Sequence, residues 1–328
     1  MSLFNLSARG ERTFHSLTVP PQEPPLANKY FEPGAKRAAK VNALFGAIAP
    51  RYDLINDLQS LWLHRRWKRR LVAMAGVGPG RRALDLCCGT GDVVFRLART
   101  GAAVIGLDFN EAMLQVARQR AELQHSKVGL GSNLRFMTGD ALNVPFSDNQ
   151  FDAVTVAYGL RNLSDWKAGL AEMWRVAKPG GRLLVLDFGR PDNALWRWLF
   201  FAYLRWLVPV FGKIFCGDPA LYGYIIESLR HYPAQHGVAA QMRQLGCAEV
   251  RVIGFLGGMM TINHGVKVLG PAVTLPMNRF ARVPPSGGLG GMDGEPGPPE
   301  GGTLAGFKGS KREIPFGGSL SPNVPQAQ

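Results

Sequence analysis

Leu84 to Asp92 reads LDLCCGTGD, an apolar run entering a glycine turn, and a second apolar run, VIGLD, closes on Asp108. The first run predicts a buried strand feeding a tight loop, in which Gly89 and Gly91 let backbone approach a ligand. The second puts a carboxylate at the end of the next strand, where it can take the hydroxyls of a ribose. A dinucleotide loop wants a third glycine, and that position is Val94. The following helix is therefore expected to stand further off and to serve a pyrophosphate poorly. Asp85, inside the first strand, would repel phosphate and suits a cation. The ligand these features predict is a phosphate-free nucleoside with positive charge. S-adenosylmethionine, with its ammonium, sulfonium and ribose diol, is such a ligand. Taken alone, the turn and one Asp also describe an ordinary strand–turn–helix of any α/β domain.

The chain further on sharpens the reading. NLRFMTGDALNVPF (Asn133 to Phe146) predicts a short strand ending at Gly139-Asp140-Ala141. There Asp140 can accept from an adenine amino group, with the Ala141 N–H nearby. FDAVTVAY (Phe151 to Tyr158) is a β-branched strand, and Gly180-Gly181 turns a helix over Leu170 to Ala177 into the strand Arg182 to Asp187. Strands alternating with helices predict a parallel sheet with crossover helices, which binds ligands at the carboxyl ends of its strands. The glycine loop, Asp108, Asp140 and the Tyr158 loop all fall at such ends and are expected to converge.

The ends of the 328-residue chain have a different composition. Residues 1–28 hold a proline cluster, VPPQEPPL, and no periodicity; they are expected to form a disordered extension. From about Gly270 the chain becomes GGLGGMDGEPGPPEGG and similar, too rich in Gly and Pro to bury a core. Residues 29–270 are expected to form one α/β domain and 271–328 a flexible tail. The four cysteines, Cys87, Cys88, Cys216 and Cys247, have neither zinc spacing nor a secreted framework, so no metal is expected. The opening MSLFNLSARGERTF has no long apolar stretch, and a reduced cytoplasmic compartment is the expectation.

The net charge of +14 is concentrated: Lys29 to Arg70 holds ten Lys or Arg against three acids. Such a patch suits nucleic acid, an anionic membrane or only water. No nucleic-acid module is visible, and none is expected as a partner. LWRWLFFAYLRWLVPVFGKIF (Leu195 to Phe215) is densely apolar and aromatic, but Arg197, Arg205, Pro209 and Lys213 make it a poor bilayer span. It reads as a core-covering lid, an interfacial attachment or a groove for a greasy substrate. Together the two segments predict peripheral contact with the inner face of a membrane. A homo-oligomer is compatible with the sequence, which does not specify one.

Three stretches carry a family resemblance: YDLINDLQSLWLHRRW (Tyr52 to Trp67), YGLRNLSD (Tyr158 to Asp165) and RVAKPGGRLLVLDFG (Arg175 to Gly189). With YGYIIESLRHYP and GGMMTINHGVK further on, the chain resembles the C-methyltransferases of ubiquinone and menaquinone biosynthesis over about residues 35–267. It departs from that pattern at Ile55, Gln59, Asp187 and Gly189, and Ala157 stands where relatives often carry a cofactor-contacting Ser.

The resemblance implies a class I, Rossmann-like fold with a seven-stranded, mostly parallel sheet and helices on both faces. The last two strands, near Glu249 to Phe255 and Met259 to Lys267, are expected at an antiparallel edge. Helices over Lys36 to Ala75 and Leu195 to Ser228 are expected to cap the site. The cofactor implied is S-adenosylmethionine, held by Thr90, Asp108, Asp140 and Ala141, with Ala157 at the Ser position. The physical reading adds Asp85, Gly89 and Gly91. The reaction implied is methylation of a prenylated quinol, demethylmenaquinol or its methoxybenzoquinol counterpart. Arg161 is expected to stabilise the phenolate, with Asn162 and Tyr52 orienting a water; the competing role for Arg161 is a structural pair with Asp165. His64 is an alternative base or merely a capping or packing residue.

Overall fold

A computed structural model describes residues 37–128, 133–207, 209–210, 213 and 220–268. All fall in the first of the two units into which the chain divides, Met1–Leu275. The expectations for residues 1–28 and 271–328 lie outside the described residues.

Three helices come first: α1 (Arg37–Ile48), α2 (Tyr52–Gln59) and α3 (Leu63–Ala75). Pro50 sits in the 3-10 turn Ala49–Arg51 that separates α1 from α2. The alternating part follows as β1 (Arg82–Leu86), α4 (Asp92–Ala98), β2 (Ala103–Asp108), α5 (Glu111–Val128), β3 (Leu134–Thr138), β4 (Phe151–Ala157), α6 (Trp166–Val176) and β5 (Ala177–Phe188). After it come α7 (Ala194–Ala202), a π turn over Tyr203–Leu207, α8 (Ala220–His231), α9 (Ala234–Gln244), β6 (Cys247–Phe255) and β7 (Met260–Lys267).

The strands make one seven-stranded sheet in the order β3-β2-β1-β4-β5-β7-β6. Period-two alternation sends Leu84, Leu86, Val154, Val156, Leu183 and Val185 to one face, against α6 and α9. Ala83, Val104, Ala153, Leu184 and Leu186 face the other way, against α3 and α4. This is the three-layer solution for a sheet apolar on both faces. Only β7 runs antiparallel to its neighbours, and it lies between β5 and β6. The last two strands thus pair antiparallel at one edge of the sheet, as expected, with β6 outermost.

The order reverses between β1 and β4, which pair in parallel. Over their carboxyl ends sits a third apolar cluster with Leu44 and Ile48 of α1, Ile55 of α2, Phe200, Leu204, Tyr224 and Ile225. The expected cap exists, with its own small core. The stretch from Leu195 is not one helix, since α7 gives way to the π turn before Pro209.

Candidate active site

At the switch point two non-glycine residues, Cys87 after β1 and Tyr158 after β4, take left-handed φ of 52° and 61°. Such backbone is costly for side chains other than glycine and clusters at functional sites. A Cβ on Gly159 would meet the Cys87 Cβ at 2.4 Å, so the two loops touch only because residue 159 is glycine. Gly89 also has positive φ, and the space where its Cβ would point is open. Its N–H donates to the Asp108 carboxylate at 2.8 Å, whose other oxygen accepts from Asn110 N–H at 2.9 Å. Burial raises the Asp108 pKa and the backbone donors oppose it. The carboxylate is thus rigid, with lone pairs left over, and with Gly89, Phe109, Met113 and Ala157 it lines a small cavity. An open glycine cradle beside a fixed carboxylate fits the nucleoside part of S-adenosylmethionine.

Asp85 is buried in the sheet between Gly106 and Thr155 and accepts from the Thr155 hydroxyl at 2.5 Å. Burial pushes its pKa up to about 7 against that hydrogen bond. With Gly89, Thr90 and Lys68 it lines a second small cavity, next to the first, where a cationic ligand would favour its ionised form. Lys68 is itself buried and paired with Asp92 at 3.0 Å. Burial would raise the Asp92 pKa, but Lys68 and Arg96 outweigh it and hold it low.

Residue 91 is held to glycine by packing, because a Cβ there would strike the Phe136 ring at 2.8 Å. The expectation about Val94 is corrected. Val94 does not hold the helix off, because the strand supplies the glycine instead. A Cβ on Gly106 would meet Val94 at 2.7 Å, and α4 sits close on that account. Asp140 and Ala141 line none of these cavities: the Asp140 carboxylate is exposed and accepts from Leu142 N–H in its own turn, while Ala141 packs in the core. Thr90 is at the cleft, but its hydroxyl donates to Asp53 of α2 at 2.9 Å.

The large cavity lies on the other side of Tyr52 and Tyr158. It measures about 470 Å³ and is walled mostly by apolar and aromatic side chains of α2, α3, α7 and α8. Its polar exceptions include Tyr52, His64, Tyr158 and Arg161. Tyr52 and Tyr158 also line both small cavities, so these two rings stand where the three spaces meet. Burial raises the pKa of both phenols; both stay protonated, and the Tyr158 hydroxyl has no protein partner.

Arg161 is fully enclosed. Its Nη1 donates to Asp187 at 2.5 Å and to the Tyr158 carbonyl at 2.8 Å, and its guanidinium lies over the Phe188 ring. The alternative pairing with Asp165 is corrected, since Asp165 caps α6 by accepting from Lys167 and Ala168 N–H. Burial would lower the Arg161 pKa; Asp187 overcomes it, and the guanidinium is held charged. Its Nε is buried without a partner. Asn162 lines the cofactor-side cavity rather than the large one, and donates to the Tyr158 carbonyl at 3.0 Å. It supports the Tyr158 loop instead of facing the ring space.

His64 lines the large cavity, with Nε2 3.3 Å from the Asp57 carboxylate, which also takes a bidentate pair from Arg65. Burial and then Lys68 lower the His64 pKa. Sequence reasoning passed over Asp57, Asp187, Lys68 and Phe45. Asp187 carries the signal that picked out Asp108, an apolar strand ending in an acid. Asp57 and His64 sit seven residues apart, two helical turns, but the bend between α2 and α3 hides that spacing. Among the described residues no His, Cys, Asp or Glu cluster could hold a metal.

A parallel-rich seven-stranded sheet with a glycine-cradled carboxylate at its switch point defines a class I S-adenosylmethionine-dependent methyltransferase. The sequence profile of the ubiE/COQ5 methyltransferase family matches residues 34–267, and the chain belongs to that family. It is 39% identical over 239 residues to the ubiquinone/menaquinone biosynthesis C-methyltransferase UbiE of Stutzerimonas stutzeri (strain A1501), covering 72% of this chain and 91% of that protein. The protein of the same name from Azotobacter vinelandii is 39% identical over 238 residues, with 72% and 92% covered. Among solved structures, the [4+2]-cyclase SpnF is similar in fold, with a TM-score of 0.50 and 17% identity over 73% of this chain and 98% of that one.

Proposed function

We propose that this chain methylates a ring carbon of a prenylated quinol, with demethylmenaquinol as the substrate. One observation carries the reading: a large, almost wholly apolar cavity meets the cofactor cleft at Tyr52 and Tyr158 and holds one enclosed guanidinium at that end. The apolar walls suit a prenyl chain, and the aromatic ones near Tyr52 (Phe45, Phe188, Phe200 and Tyr224) suit a fused two-ring head. Gly89, Asp108 and Asp85 would hold S-adenosylmethionine, which would supply an electrophilic methyl group.

An aromatic carbon is a weak nucleophile until a neighbouring hydroxyl ionises, and that hydroxyl has a pKa of ~10. Arg161 does not take the proton, because a guanidinium held against Asp187 stays charged. Its free Nε–H and its charge stabilise the phenolate. Of the groups lining the cavity, His64 is the one whose ordinary pKa lies near neutrality. Its lowered pKa keeps it neutral, and so able to accept a proton, at physiological pH. Asp57 then stabilises the imidazolium that forms, the part a carboxylate plays behind a catalytic histidine.

Labelled-methyl transfer from S-adenosylmethionine to the two quinols tests the substrate. Turnover of demethylmenaquinol is expected; turnover of methoxybenzoquinol alone moves the chain to the ubiquinone pathway, and turnover of neither rejects the reading. His64→Asn should remove the acid limb of the kcat/KM profile, and an unchanged limb assigns the proton to another acceptor.

A further inference from the structure

We propose that the rim of the large cavity docks on the face of an anionic phospholipid bilayer, an inference that rests on reading the cavity as the seat of a prenylated quinol. Three separate segments meet at this rim and each turns large apolar side chains outward. Leu61 and Trp62, between α2 and α3, are 73% and 52% exposed, and Leu256 before β7 is 48% exposed. Trp198 of α7 and Trp206 of the π turn are 66% and 71% exposed. The segments are one surface: Trp196 Nε1 donates to the Leu256 carbonyl, and the Tyr203 hydroxyl to the Gln59 carbonyl. Leu61, Trp196 and Leu256 also line the cavity, so the patch surrounds its opening.

The backbone argues that this exposure is built in. Leu61, Trp62 and Leu256 have φ of 48°, 60° and 48°. Turns that need such angles use Gly or Asn, and a bulky residue there is strained. Here the strained positions hold leucine and tryptophan and point them at solvent. Strain spent on presenting apolar side chains has a purpose only if something apolar receives them.

Charge identifies what receives them. The α3 helix leaves the rim with Arg65, Arg66, Arg69 and Arg70 exposed, and the exposed Arg205 lies against the Trp206 ring. Exposed tryptophans flanked by cations are the composition of an interfacial surface, with rings at headgroup level and cations among anionic lipids. None of the described helices is long and apolar enough to cross a membrane. Docking therefore stays at the interface, and the cavity opens toward the acyl region where a long prenyl chain resides.

The test uses the full chain with vesicles of phosphatidylcholine alone and of phosphatidylcholine mixed with phosphatidylglycerol. The chain should co-sediment with the mixed vesicles, less with phosphatidylcholine alone, and less again in high salt. Trp198→Glu with Trp206→Glu, two side chains outside the cavity lining, should weaken vesicle binding at least ~10-fold at unchanged Tm. Arg66→Glu with Arg69→Glu should weaken it on anionic vesicles only; if the tryptophan pair misfolds, Trp206→Ser alone takes its place. No vesicle binding, or equal binding by the folded tryptophan variant, overturns the proposal. So does a chain whose dimer is dissociated by Trp198→Glu, because a second copy then covers the face. A quinol with a short, water-soluble tail separates this from the substrate reading. The tryptophan variant should methylate it like the parent while losing activity on long-chain quinol in vesicles. If the parent methylates neither, the substrate reading falls while the vesicle result still decides the docking.

Discussion

Asp85 is a carboxylate inside a sheet, with one hydroxyl partner and a pKa of about 7. A folded pKa raised above the unfolded one means that folding takes up a proton. The stability this contributes is full below pH ~3.9 and is lost as pH rises through about 7. Asp85→Asn removes the titration, so the variant should gain Tm relative to the parent at pH 8 and gain clearly less at pH 5. The same variant should bind S-adenosylmethionine more weakly at pH 8, where the parent offers a full negative charge. Calorimetry at the two pH values reads both effects, and a Tm difference independent of pH would show that Asp85 does not titrate in this range.

Arg161 joins stability to chemistry through one side chain. Arg161→Lys keeps a charge that can still reach Asp187 and the Tyr158 carbonyl, both bonded by Nη1, but it loses the further donor Nε–H. Turnover should fall by roughly 10²–10³, the usual loss of one stabilising donor, with cofactor affinity barely changed and part of the rate recovered at higher pH. Asp187→Asn instead leaves a buried charge without its partner, and such losses run to roughly 3–5 kcal/mol. Full turnover in a destabilised Arg161→Lys enzyme would reduce the arginine to a structural part.

At the scale of elements, polar side chains tie the cap to the cofactor loops, beside the apolar packing of α3 on the sheet. Asp53 of α2 accepts from Thr90 at 2.9 Å and from Arg120 at 2.6 Å; Lys68 of α3 holds Asp92, and the Asn110 amide donates to Asn42 of α1. These bonds join the cap to the rim of the cofactor cleft, and cofactor entry is expected to loosen them. Asp53→Ala is expected to raise both the association and dissociation rates of S-adenosylmethionine several-fold. Tm should change little, because the ion pair is partly exposed. Stopped-flow fluorescence measures the rates, and unchanged rates would mean that the Asp53 bonds do not limit entry. The elements differed in how well the sequence announced them. Apolar runs, with the glycine turn after β1 and the terminal acid of β2, marked β1, β2 and β4 plainly. The break between α2 and α3 had no such mark, because Leu61 and Trp62 take turn angles without turn residues.

At the scale of the whole molecule, the last strand among the described residues, β7, ends at Lys267. Removing residues 276–328 should leave Tm within a degree or two of the full chain, since Gly/Pro-rich sequence contributes little apolar burial. A large fall in scanning calorimetry would place part of the fold in those residues.

The sequence by itself determined the layered α/β class and the cofactor class, and it marked Gly89 and Asp108, which the fold brings into hydrogen-bond contact. Those depend on local rules: the two-residue period of a strand, the backbone freedom of glycine, and the acid that ends an apolar run. Only the tertiary structure decided that Gly106 on the strand, not a glycine on the helix, brings α4 close, because that contact joins residues from two elements. The tertiary structure likewise set Asp187 rather than Asp165 against Arg161, turned Asp140 into its own turn and placed Asp57 behind His64. Each of these partners is chosen by packing across the switch point and under the cap, and a charge buried there takes whichever opposite group the fold brings within reach.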